Sequence, residues 1–320
     1  MKVKFLKLNN LVVVRLMSLL ALAAAMLLAT ACKKDGIYRP DKKLSRIAQY
    51  YEKTLQRYDS NTKTWKTIHK DSTARRDAEK WAWNDNLLHH IDVYQNGEKV
   101  STVAFVYDGK RLARTNISNT KTYIEYEYDG RRLKTMTHKN QKGETMWTET
   151  LEYDGKHISS LTTSASGAAT KAGHDLGHTL ALQAVLGDAT VARDIAEACR
   201  KNDGSKATET VWDFEWKNDN IRSVTNRATG SKTSYRHDDK TNPLRGLLAT
   251  MTGIGETSND YAFANRNNIT VAERDGAKNS YSYTYSDDLP ASRSQSIVDH
   301  YTQGYRYVET TIQYFEYVEE

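Results

Sequence analysis

Tyr126-Glu127-Tyr128-Asp129-Gly130-Arg131-Arg132-Leu133 is the stretch that decides the fold. Tyr126 and Tyr128 are two residues apart, so in an extended chain both point to one face while Glu127 points to the other. Asp-Gly then supplies the positive φ of a tight hairpin turn. Leu133 restarts the alternation on the returning strand. The unit is a β-hairpin, and the chain repeats it. Phe105-Val106-Tyr107-Asp108-Gly109-Lys110-Arg111-Leu112 and Leu151-Glu152-Tyr153-Asp154-Gly155-Lys156-His157-Ile158 are close copies. Looser ones begin at Trp81, Phe214, Tyr261 and Tyr283. Hairpins in series pair edge to edge, so an all-β antiparallel meander is expected, forming a curved sheet or an open barrel-like shell.

Neighbouring stretches agree. Ile124, Tyr126 and Tyr128 alternate with Tyr123, Glu125 and Glu127, and Tyr281, Tyr283 and Tyr285 alternate with Ser280, Ser282 and Thr284. Tyr305 to Val318 has no turn residue and reads as a long closing strand. In 42–60, Leu44, Ile47, Tyr51, Leu55 and Tyr58 also fit a helical stripe, but the repeat context favours strands. The pattern stops between Leu161 and Val211. Ser164 to Gly173 is rich in small polar residues, and His174 to Arg200 is rich in alanine and leucine. A small α-helical insertion is therefore expected over 164–206, divided at Gly187-Asp188, with Asp188 as a cap.

The amino-terminal segment addresses the compartment. Lys2, Lys4, Lys7 and Arg15 precede an apolar run from Leu16 to Ala29, and Ala29-Thr30-Ala31-Cys32 follows. Charged, apolar and small-residue regions in that order make a secretory signal, expected over 1–31. The run falls short of the roughly 20 apolar residues that span a bilayer comfortably. Residues 29–32 resemble the lipobox of bacterial lipoproteins, although alanine stands at 29 where leucine is commoner. The resemblance implies cleavage before Cys32 and acylation of that residue, with 32–43 as a charged tether and 44–320 as the repeat domain. Each buried methylene of an acyl chain contributes about 0.8 kcal/mol, so several chains hold firmly. An uncleaved anchor helix and a soluble secreted protein are the alternatives.

Charge and aromatic balance narrow the partners. The formal net charge is +6, and loss of Lys2, Lys4, Lys7 and Arg15 leaves +2. Nucleic acid, which requires a clustered basic surface, is not expected as a partner. With Cys32 assigned to lipid, Cys199 stands alone, so no intrachain disulfide is expected. Twenty tyrosines and six tryptophans stand against five phenylalanines, an unusual excess of rings with a polar tip.

The aromatic-x-Tyr-Asp-Gly-x-x-Leu units resemble the tyrosine–aspartate repeats of RHS-type proteins. With the lipobox and the Tyr235 to Leu247 stretch, which carries Asn242-Pro243-Leu244, most of 42–320 resembles a domain-of-unknown-function family of secreted lipoproteins with a porin-like fold. The resemblance implies a fold and carries no catalytic residue. A lipid-facing barrel wants an outer apolar band about 25 Å tall. The charged second faces and the mean hydropathy of −0.73 argue for a water-facing shell instead.

No nucleophile elbow, phosphate-binding loop, dinucleotide fingerprint or calcium loop occurs. His174 and His178 would share a helix face and are weak metal candidates, but no third ligand completes the pattern. His89 and His90 are neighbours in a strand-like run, where side chains point to opposite faces. Glu125 with Glu127, or Asp287 with Asp288, could serve glycosidase chemistry, yet any charged sheet supplies such pairs. The expected site is aromatic: Trp81, Trp83, Tyr107, Tyr126, Tyr128, Tyr153, Trp216 and Tyr285 along one face, either as a platform for sugars or as core. No cofactor and no enzyme activity are expected. The expected role is a binding or interaction module of the cell envelope, for a glycan or a partner envelope protein, anchored to the outer membrane through Cys32 on a periplasmic or surface-facing side. An envelope hydrolase and a purely structural lipoprotein are the alternatives.

Overall fold

The computed structural model describes residues 35–165, 209–247, 264–274, 276–302 and 304–319. Cys32, the leader, His174, His178, Cys199 and the first three residues of the unit beginning at Tyr261 lie outside them. So does the expected helical insertion, apart from Ser164 and Ala165, which belong to a strand. In chain order the strands are β1 (Leu44–Asp59), β2 (Thr64–Ser72), β3 (Arg76–Asn84), β4 (Leu87–Gln95), β5 (Glu98–Asp108), β6 (Arg111–Ile117), β7 (Thr122–Asp129), β8 (Arg132–Lys139) and β9 (Thr145–Asp154). They continue with β10 (His157–Ala165), β11 (Glu209–Lys217), β12 (Asn220–Asn226), β13 (Lys232–Thr241), β14 (Asn267–Arg274), β15 (Ala277–Ser286), β16 (Leu289–Thr302) and β17 (Tyr305–Tyr317). The 42–60 segment is a strand, and the closing strand is β17.

From β3 to β17 every strand pairs antiparallel with the next. β1 then joins β17 along Leu44–Arg57 and β3 along Arg46–Gln49. The meander therefore closes on itself, as a ring of sixteen strands (β1 and β3 to β17) with β2 attached to β1 alone. The open shell expected from the repeat is corrected to a closed barrel. The hairpin units do not specify closure; the long β1 and β17 do, because each leaves an edge that the other satisfies.

The repeat has a shared fine structure. In the β7–β8 hairpin, Asp129 pairs with Arg132 and the loop is Gly130-Arg131, with Gly130 at φ 56°. The aspartate is thus the last paired residue, and glycine takes the left-handed position. Asp85 and Asn218 occupy that position elsewhere at φ 50° and 54°, as short polar side chains can. Beyond the turn Tyr128 pairs with Leu133, but Glu127 pairs with Thr135, so Lys134 is an extra residue. The same one-residue bulge recurs at Ala113, Ser159, Arg222 and Ala291. It strengthens local twist and helps a long sheet curl.

Inward-facing residues from all around the ring form one buried cluster, including Leu44, Leu88, Ile91, Leu133, Leu161, Ile221 and Phe315. The rim bearing the Tyr-Asp-Gly turns is covered by the chain itself. Residues 35–43, expected as a tether, run across it as a strap. Asp35 N–H donates to Arg131 O at 2.8 Å, and Leu112 N–H donates to Gly36 O at 2.8 Å. Tyr38 is buried, stacks on Trp83 with centroids 5.7 Å apart, and donates to Pro243 O at 2.8 Å. Leu244 and Leu247 close the same mouth and are buried.

Candidate functional site

Each Tyr-Asp-Gly turn leaves a structural problem on its neighbour. Pairing between β6 and β7 ends at Arg114 and Glu125, so Leu112 O lies past the ladder. Tyr128 crosses that gap and donates to Leu112 O at 2.7 Å. Tyr107 does the same to Leu88 O, Tyr153 to Leu133 O, Tyr283 to Ile269 O and Tyr317 to Pro290 O, at 2.7–2.9 Å. Trp83 and Trp216 use the indole N–H on Leu44 O and Ile158 O, at 2.7 and 2.6 Å. Seven of the eight seams between successive hairpins are clasped in this way. In the eighth, between β12 and β13, the matching residue is His237, whose buried Nε2 has no hydrogen-bond partner and whose pKa is pushed down by burial to about 4. At that seam Asn265 Oδ1 accepts from Ile221 N–H at 2.8 Å.

Of the two readings of the aromatic face, burial matches core. The structure does bring the eight residues to one inward side, but it uses their rings as core and their tips as clasps. Trp81 and Tyr126 are 6% exposed, and Trp83, Tyr107, Tyr128, Tyr153 and Trp216 pack against the core. Burial pushes the Tyr107 hydroxyl up to about 12 and those of Tyr128 and Tyr153 higher still. Tyr285 donates to Asp238 and stacks on Tyr283. Their hydroxyls are thus engaged within the rim.

The accessible aromatic surface is elsewhere. Pairing of β15 with β16 stops at Gln295, and that of β1 with β3 at Gln49, yet β1, β2, β16 and β17 run on. They form a four-stranded sheet extending past the rest of the rim opposite the strap, in the order β2, β1, β17, β16. On it Tyr58 is 42%, Ile68 49%, Ile297 56% and Val298 46% exposed. Tyr58 and Trp65 rings lie 5.3 Å apart, the Arg306 guanidinium is 4.3 Å from the Trp65 ring, and Arg306 Nε donates to Gln56 Oε1 at 2.8 Å. Ser296 to Thr302 has β17 on one side and no described strand on the other. The other edge, β2, carries Lys66, Lys70 and Asp71, charges that discourage strand addition. Sequence reading missed this surface because its aromatics lie outside the Tyr-Asp-Gly units.

Inside the barrel, burial favours the neutral forms of Glu79, His138 and Glu149. Glu79 accepts from Trp81 Nε1 at 3.0 Å, and burial raises its pKa to about 8 despite Arg293 nearby. His138 and Glu149 meet at 3.1 Å, and His138 stacks on Trp147. Burial raises the Glu149 carboxyl and lowers the His138 ring to about 3. The outer wall is charged and paired: Lys139 with Glu125 at 2.6 Å, Lys99 with Asp92 at 2.7 Å, Lys232 with Glu215 at 2.9 Å. Asp288 is held by Lys240 and Thr241. His89 and His90 do not diverge as expected for strand neighbours. His89 is the bulge residue of its hairpin, and the two Nδ1 atoms lie 2.8 Å apart. No group of three or more His, Cys, Asp or Glu side chains suited to a metal occurs among the described residues.

Fold and rim together define a closed antiparallel β-barrel built from clasped hairpins, with one mouth strapped and one sheet prolonged. No family model and no curated protein matches the chain. Among solved structures it is similar to a porin-like protein from Bacteroides uniformis ATCC 8492, with 11% identity and a TM-score of 0.46, over 89% of this chain and 100% of that one.

Proposed function

We propose that this protein is a non-catalytic, lipid-anchored module of the bacterial cell envelope that engages a partner envelope protein through its prolonged sheet. The observation that carries the reading is the exposure of Ile68, Ile297 and Val298 on the edge strands β2 and β16, with Tyr58 exposed on β1 beside β2. Exposed apolar side chains beside unpaired backbone are the chemistry of strand addition, in which main-chain bonds give affinity and side-chain pockets give selectivity. The β16 edge suits this better than the charged β2 edge.

Anchoring through Cys32 supports the orientation. Only Lys33 and Lys34 separate Cys32 from Asp35, which is docked in the strapped mouth, so an acylated Cys32 lies within about 10 Å of that rim. The prolonged sheet would then point away from the bilayer. The charged outer wall supports a barrel standing in water beside the outer membrane rather than spanning it. A glycan ligand is the second reading, favoured by the Tyr58–Trp65–Arg306 stack, since ring faces flanked by donors suit sugars.

A photo-crosslinking residue at Val298 in cells tests the first reading. A cross-link to a second envelope protein, lost when Ile297 is also changed to Asp, supports it. Cross-linking only within the chain, to 166–208, would sink it. Glycan-array binding lost in Trp65→Ala would support the second. Acyl labelling of the wild type that disappears in Cys32→Ala tests the anchor.

A further inference from the structure

Beside the strap, the covered mouth contains a pocket of about 180 Å³. Its wall comes from four separate parts of the chain: strap residues 39–42, the end of β13 and the turn after it as far as Arg245, Arg266-Asn267 at the start of β14, and Asp288-Leu289 at the β15–β16 turn. Arg39, Arg245 and Arg266 stand around it, all solvent-accessible. Among the described residues none of the three guanidinium groups has a hydrogen bond or an ion pair. The carboxylate near Arg245, Asp219, is already taken by Lys156 at 2.5 Å and by His157 at 3.0 Å. Asp288, also in the wall, is held by Lys240 at 3.2 Å. Lys42, Asp41 and Asp239 complete the ionic lining.

We propose that this pocket is a binding site for a phosphate group, gripped by Arg39, Arg245 and Arg266. A guanidinium presents a planar fork of donors that matches phosphate oxygens two at a time, and three forks around one recess suit a multivalent oxyanion. The backbone has been shaped to bring them there. Asn242 folds its own turn by accepting from Leu244 N–H at 3.0 Å and ties it to Asn265 O through Nδ2 at 3.1 Å, which places Arg245 beside Arg266. Desolvation, with repulsion from Arg266, lowers the Arg245 pKa although Asp219 opposes this. A bound anion would relieve that repulsion. Asp41 and Asp239 leave room for a phosphate that carries an esterified, cationic or hydroxylated group on its other side. The site does not depend on acylation of Cys32, but the strap places it on the mouth from which an anchor would emerge; a lipid headgroup and free phosphate share the recognised chemistry, and the two probes below distinguish them.

Titration calorimetry on the full-length chain in neutral detergent, at ionic strength fixed with chloride, tests this. The probes are inorganic phosphate and glycerophosphoglycerol, a diester headgroup without acyl chains. Saturable binding by the wild type is expected, weakened at least tenfold in Arg245→Gln/Arg266→Gln and unchanged in the outer-wall variant Arg222→Gln. Tighter binding of the diester assigns the site to lipid headgroups, and tighter binding of inorganic phosphate assigns it to free phosphate. Absence of saturable binding of either probe to the folded wild type overturns the proposal, as does equal affinity in the double variant. Should the double variant unfold, a phosphate-dependent rise in the wild-type melting temperature at fixed ionic strength decides the matter, and its absence overturns the proposal.

Discussion

In five of the repeats the two aromatic positions obey different rules. The first takes Trp81, Phe105, Tyr126, Leu151 or Phe214, so any large apolar side chain serves, and each is buried. The second takes Trp83, Tyr107, Tyr128, Tyr153 or Trp216, always a ring that ends in a donor, because a carbonyl beyond the ladder must be satisfied. This accounts for part of the excess of tyrosine over phenylalanine. Tyr128→Phe keeps the ring and leaves Leu112 O unbonded; a loss of about 1–2 kcal/mol is expected. Urea denaturation checks it, and an unchanged midpoint would remove the clasp as a stabilising element. Gly36 is equally constrained. Its φ of 75° suits glycine, and a Cβ there would fall on the Tyr128 side chain. Gly36→Ala should undock the strap and lower the melting temperature by several degrees, since strain in the left-handed region alone costs about 1 kcal/mol or more.

At the scale of elements, burial favours the neutral forms of two acids, Glu79 on β3 and Glu149 on β9, and of one base, His138 on β8. Glu79 titrates near 4.5 in the unfolded chain and near 8 in the barrel. Between those values the unfolded state has lost the proton and the folded state keeps it, so stability falls as pH rises. The contribution is intact below about 4.5 and is lost through about 8. His138 acts in the opposite sense at lower pH: its folded value near 3 makes stability fall as pH drops below about 6.5. Glu79→Gln should therefore flatten the decline across the whole window from about pH 4.5 to 8, between pH 5 and 6.5 as well as between 6.5 and 8. Denaturation midpoints at pH 5, 6.5 and 8 measure this; a decline of equal steepness in the variant would show that another group carries it.

The molecule as a whole is held by one distant pairing. β1 and β17 meet across nearly the full length of the chain, from Leu44 with Tyr317 to Arg57 with Tyr305. All other pairings of the ring are between consecutive strands, apart from β1 with β3, which skips only β2. A chain stopped at residue 303 keeps fifteen strands of the ring yet exposes the edges of both β1 and β16. Loss of the cooperative thermal transition, with aggregation, is expected. A sharp transition in the truncated chain would mean that the hairpins are stable as an open sheet. Closure by such a non-local pairing also predicts slow folding.

The sequence by itself determined the hairpin. Aromatic residues at i and i+2, a turn residue able to take positive φ, and an apolar restart are local requirements, readable at Tyr126 to Leu133 and again in 105–112 and 151–158. The strand character of 42–60 and of Tyr305 to Val318 followed from the same periodicity. The tertiary structure alone decided which side of each strand became interior, because alternation marks two faces without naming the one that closes inward. It decided closure, since β1 and β17 share no local signal. It turned the expected tether at 35–43 into a strap, through Asp35, Gly36 and Tyr38 finding partners far along the chain, at Arg131, Leu112 and Pro243. It also placed Arg39, Arg245 and Arg266 around one pocket, and left Tyr58, Ile68, Ile297 and Val298 in the open. Local geometry is set by neighbours in the chain, whereas exposure and convergence depend on where the ring brings remote segments together.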